Sequence, residues 1–217
     1  MPQIFSPAAN TWFRVVLLTV PLQLMIGLFA IYRLNYSSYA TQVGVPVDQP
    51  VAFSHQHHVA GLGLDCRYCH TSVEKSAFAG MPSSTTCMTC HSQVWTEAPI
   101  LETVRRSLAL SVPIRWTRVH QLADFVYFDH SIHIRKGIGC VSCHGRVDQM
   151  PITWKEHTLQ MGWCTECHRH PETALRPPTE VFNLNWTPTG DQQTRTLLQQ
   201  AHLRSTQELT DCTACHR

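Results

Sequence analysis

Residues 53–70 read FSHQHHVAGLGLDCRYCH, a stretch that closes on Cys66-x-x-Cys69-His70 and opens with two further histidines, His55 and His58, three positions apart. The closing spacing occurs five times. Cys87/Cys90/His91, Cys140/Cys143/His144, Cys164/Cys167/His168 and Cys212/Cys215/His216 repeat it, and all ten cysteines of the chain are used. Two thiols one helical turn apart meet the two vinyl groups of one porphyrin, and the adjacent histidine falls under the iron as its proximal ligand. Zinc ribbons use Cys-x-x-Cys pairs in twos, which five pairs cannot satisfy, and they give no reason for a histidine after every second cysteine. Five covalently bound c-type haems are therefore expected.

That count bounds the fold. A chain of 217 residues surrounding five apolar macrocycles uses them as its core. The expected architecture is a mainly α and irregular multihaem cytochrome c, haem-packed, with little sheet and one N-terminal transmembrane helix. Thiols destined for haem are handled on the oxidising side of a membrane, so the haem domain is expected on the periplasmic side. A formal charge of +2 provides no basic face for nucleic acid.

Val15 to Tyr32 is an uncharged apolar run of eighteen residues, interrupted by Thr19, Pro21 and Gln23, with Trp12, Tyr32, Tyr36 and Tyr39 at its edges. The rival reading is a leader cleaved near Ser38-Tyr39-Ala40. The run is long for a leader, and a retained anchor is expected. Arg14 and Arg33 flank it and cancel as evidence for orientation. No acid or base lies inside the span, and Gly27 offers a place for another helix to approach.

An internal repeat follows. Phe53-x-His55-x-x-His58 precedes the motif at Cys66, and Phe128-x-His130-x-x-His133 precedes that at Cys140. A second motif follows each, at Cys87 and Cys164, and each of those follows a Met-Pro pair, Met81-Pro82 and Met150-Pro151. The expected organisation is an anchor segment over 1–34, a linker over 35–50, dihaem modules over 51–114 and 115–170, and a tail over 171–217 carrying the fifth haem. Helices are expected over Pro99–Leu110 and Asp191–Leu203.

Each iron needs a second ligand. The first histidine of each pair lies about ten residues before its own motif, a loop short enough to fold back. The second lies on the same side of a helical turn and reaches the next haem. His55 and His58 are thus expected to serve the haems at Cys66 and Cys87, and His130 and His133 those at Cys140 and Cys164. His57 has no counterpart in the second repeat. For the haem at Cys212 the candidates are Met150, His120 and Met161, with His157 and His202 behind them. Methionine at one iron among bis-histidine sites would raise its potential.

The stretches FSHQHHVAGLGLDCRYCHTSVEKSAFAGMP, WTRVHQLADFVYFDHSIHIRKGIGCVSCHGRVDQMP and LQMGWCTECHRHP, together with the span and the five motifs, resemble the pentahaem membrane-anchored subunit of alternative complex III, a bacterial quinol oxidoreductase. The paired-histidine modules are also similar to small low-potential multihaem cytochromes c. The first resemblance weakens over 171–211. It implies an electron-transfer subunit with no catalytic residue of its own. It would take electrons from an iron–sulfur protein and pass them to a monohaem cytochrome c or to a soluble carrier, a cytochrome c or a copper protein. The alternative is a stand-alone quinol dehydrogenase anchored by one helix. That arrangement places its first haem close to the span, whereas over thirty residues intervene here. A catalytic reductase would need an iron without a protein ligand, and the surplus of His and Met argues against one.

Overall fold

The computed structural model describes residues 4–216, which separate into two units, one ending at Gln42 and one running from Val43. In the first, α1 (Pro7–Asn35) is a single helix of 29 residues, followed by the short α2 (Ser38–Thr41). Proline stands at the N-terminal edge of α1, where its missing N–H costs nothing, and Arg33 lies in the last turn, where a cation meets the helix dipole. At 1.5 Å per residue α1 is roughly 43 Å long, more than the ~30 Å of a bilayer's hydrocarbon. None of its residues is buried, and its apolar side chains face outward on all sides.

The second unit is built of short helices joined by irregular chain. Among the described residues there is no strand, only isolated bridges pairing Val43 with Lys155, Pro46 with Trp154 and Ile138 with Leu175. The first two, with the bonds from Gly44 N to Lys155 O and Val47 N to Thr153 O, fasten the expected linker along residues 153–155. The helix expected over 99–110 begins as a 3-10 turn, Pro99–Leu101, and continues as α5 (Glu102–Leu110). The expected tail helix is shorter, α9 (Asp191–Gln200).

Apolar packing between side chains is thin. Val51, Leu101 and Val104 form one cluster, with Met88, Ile114 and Trp116 packed against it. Val73, Met150, Leu175, Val181, Leu184 and Leu197 are buried elsewhere. The fold thus rests on a scattering of small contacts around the cysteine motifs.

The uncharged apolar run within α1, Val15 to Tyr32, predicts attachment that does not depend on charge. High salt or carbonate should leave the protein in the membrane fraction, and detergent should release it. Release by salt alone would show a merely electrostatic association.

Candidate haem-binding site

Each Cys-x-x-Cys pair lies on a turn of helix that local chemistry starts. Asp65 caps α3 (Cys66–Cys69) by accepting from Arg67 N, and Asp211 caps α11 (Cys212–Cys215) by accepting from Thr213 N. Ser83 caps α4 (Ser84–His91), which carries Cys87 and Cys90. Cys164 and Cys167 lie within α8 (Met161–Arg169). The turn α7 (Val141–His144) has no side-chain cap. It is entered through backbone bonds from Gly139 N to Ala174 O and from Cys140 N to Val181 O.

The histidines before the motifs stand opposite the motif histidines. His55 faces His70 with ring centroids 6.5 Å apart and planes at 11°. His58 faces His91 at 6.2 Å and 64°. His130 faces His144 at 6.2 Å and 11°, and His133 faces His168 at 6.3 Å and 23°. A metal–imidazole bond is about 2 Å, so two trans imidazoles, with roughly 1.2 Å from nitrogen to ring centre, stand roughly 6 Å apart. The four gaps fit an iron between each pair, and the flanking thiols are those that would hold its porphyrin.

The rings are oriented by a scheme that repeats. Phe53 stacks on His58 at 4.4 Å and meets His55 edge-on at 4.9 Å; Phe128 does the same to His133 at 4.5 Å and His130 at 4.7 Å. His58 Nδ1 lies 2.9 Å from Ser54 O, and His133 Nδ1 2.7 Å from Asp129 O, four residues back in each case. The first histidine of each pair is held from the other half of the domain. His55 Nδ1 lies 3.0 Å from Thr153 Oγ1, and His130 Nδ1 lies 2.7 Å from Ala77 O. A π-helical turn, Gln56–Gly61, carries the chain past His58. The repeated phenylalanine was visible in the sequence as part of the pattern; Thr153 and Ala77 left no such signal.

Four motif histidines bond a backbone carbonyl through Nδ1: His70 to Gly80, His91 to Val94, His168 to Leu209 and His216 to Phe125. Such outer-shell bonds fix the tautomer and strengthen the ligand. His144 differs. Against it lies His120, centroids 4.4 Å apart at 70°, with its own Nε2 buried and without a partner. Burial, then His120, His130, His70 and His55, lowers His144 to about 3. Burial also lowers His55 and His120 to about 4, so these rings are neutral and able to ligate or to accept a bond.

Neighbouring thiols place the five motifs in a row. Cys69 is raised by burial and by Cys87 beside it. A hydrogen bond between Cys66 and Cys140 lowers the first and raises the second. Cys143 is pushed up to about 12 by burial and by Cys167 and Cys164. Cys164 is raised by burial and by Cys215. In space the order is therefore the motif at Cys87, then Cys66, Cys140, Cys164 and Cys212.

The fifth motif is tied to residues 125–127, through Phe125 O and a bond from Tyr127 N to Cys215 O, and the ring against His216 is Phe125 at 5.7 Å. Of its three candidate ligands, His120 is at His144. Met150 is fully buried and accepts from Gln56 N, and Met161 opens α8 with 71% of its surface exposed. His157 stacks on Trp163, and His57 stacks on Trp95.

The chain matches the family described as cytochrome c7 and related cytochrome c over residues 51–104 and 126–217. It is similar to a protein of Nitratidesulfovibrio vulgaris named menaquinone reductase, multihaem cytochrome c subunit. The two are 27% identical over 201 residues, with 88% of each chain covered.

The approach to Cys140 supplies a stability test. Gly137 has φ +81°, and a Cβ there would stand 2.6 Å from Arg176 O, while Gly63, at φ +69°, faces open space. Gly137→Ala should cost about 1–3 kcal/mol and lower the thermal midpoint more than Gly63→Ala, which meets the left-handed penalty alone. Equal losses would show that the contact with Arg176 is unimportant.

Proposed function

The chain belongs to the family of cytochrome c7 and related cytochromes c, and on that footing we propose that it relays electrons through five c-type haems in a membrane quinol oxidoreductase complex of the alternative complex III kind. The observation that carries this reading is the set of four histidine pairs spaced for iron. Haem, when bound, supplies a one-electron iron couple. The protein's part is to attach it through the ten motif cysteines and to hold each iron with His70, His91, His144, His168 or His216. His55, His58, His130 and His133 would close four sites from the other side, and with His120 standing at His144 the fifth is left to Met150 or Met161. Four irons held between such pairs would present no open position to a substrate, which favours a relay. The row of neighbouring thiols supports a relay with two ends, at the motifs of Cys87 and Cys212.

The similarity to a menaquinone reductase subunit supports a quinone-linked membrane complex. In that complex other subunits would bind the quinol. An iron–sulfur protein would donate electrons, and a monohaem cytochrome c or a soluble cytochrome c or copper protein would accept them. Anchoring by α1 would keep the haem domain at the periplasmic face. More than thirty residues between the apolar run and Cys66 favour this over a stand-alone quinol dehydrogenase.

Two measurements test the reading. His55→Ala and His58→Ala should each remove a different low-spin signal in electron paramagnetic resonance. The tilted His58–His91 pair should give the signal set apart from those of the near-parallel pairs. Loss of one and the same signal in both variants would overturn the ligand assignment. The detergent-solubilised chain, carrying five haem additions by intact mass, should not turn over menaquinol or ubiquinol analogues with an acceptor. Steady turnover at the rate of the assembled complex would establish the quinol dehydrogenase instead.

A further inference from the structure

Four of the five motif histidines have Nδ1 engaged by a backbone carbonyl, at 2.7 to 3.1 Å. Among the described residues no carbonyl serves His144 in this way. What lies against it is the ring of His120, edge to face, 4.4 Å between centroids and 70° between planes. Nε2 of His120 is buried and without a hydrogen-bond partner, an arrangement that costs free energy unless it is used. His120 belongs to an irregular stretch that leads on to Phe125, whose carbonyl holds His216, and to His130, which faces His144 across the iron gap. One short segment thus touches the histidines of two motifs, His144 and His216.

We propose that His120 is a positioning residue for His144, its imidazole taking the place that a backbone carbonyl takes at the other four motif histidines. The proposal rests on the reading of His144 as an iron ligand and adds to it what fixes the ring. Nε2 of a neutral His120, once it accepts from His144 Nδ1–H, would set the tautomer that leaves the Nε2 of His144 free for iron and would make that ligand more basic, which favours the ferric state. At the third haem the tuning group is therefore a side chain, open to substitution, where elsewhere it is main chain. The same placement removes His120 from the candidates for the fifth iron.

The test uses the full-length, haem-loaded protein and three variants, His120→Ala, His120→Gln and His120→Phe, followed by potentiometric titration and electron paramagnetic resonance. Gln keeps an acceptor, and Phe keeps the ring but not the nitrogen. In Phe and Ala, one haem of the five should favour the ferrous state roughly tenfold more, a rise of about 59 mV for a one-electron couple, and all five should stay low-spin. Gln should lie near the native value. If Ala fails to mature with five haems, the Gln and Phe pair decides. Equal potentials in Gln and Phe, or no displacement in either, would overturn the proposal. Conversion of one haem to high-spin in Phe would also overturn it, because His120 would then be an iron ligand. Failure of His144→Ala to disturb any haem in an otherwise native protein would instead sink the ligand reading beneath it.

Discussion

Two imidazoles facing each other across 6.2 to 6.5 Å is the distance on which the second unit depends. Side chains could close such a gap only by collapse, and they do not, because each ring is braced from behind. The phenylalanine two residues before each pair touches both of its histidines, and a carbonyl one turn back holds the second. Seen this way, the scarcity of buried apolar residues is a consequence of the cofactor. Macrocycles held between braced rings would provide the apolar interior that a chain of this length otherwise builds from Leu, Ile and Phe.

The two repeats are not independent beads. His55 is oriented by Thr153 and His130 by Ala77, so each half holds the home histidine of the other. The bond between Cys66 and Cys140 lies at the same junction, and so do the backbone bonds from His130 N to Ala77 O and Ser131 N to Ser76 O. This crossing is why the motif order in space departs from that in sequence, with the first motif against the third and the second at an end. Within the segment expected as a linker, 35–50, residues 43–47 are bonded along 153–155, beside Thr153.

Legibility in the sequence followed the range of the interactions. Cysteine spacing is a local rule, and the histidine pairs lie within one turn and recur, so which histidine stands opposite which motif could be read from the repeat alone. The absence of a sheet among the described residues followed from the same count of macrocycles. Helix ends at Pro99 and Asp191 were marked by proline and by an acidic first turn. The partners of His55 and His130 were not legible, being 98 and 53 residues away and of ordinary type. The place of His120 was not legible for a related reason. Composition marks it as one more spare histidine, and only the fold brings it against His144. The fifth motif has no repeat to compare with, and its tie to Phe125 spans 91 residues.

The exchange between Thr153 and His55 has a bearing on biogenesis. Were the haem domain exported N-terminus first, Cys66 and Cys69 would become available to the attachment machinery long before residue 153. The first porphyrin would therefore be joined to a segment whose outer histidine still lacks its brace, and it would wait in a loosely held state. Final ligation of the early haem would come as a late event, set by the arrival of the second half. The bond at Thr153 would act as a checkpoint that couples completion of one module to synthesis of the other.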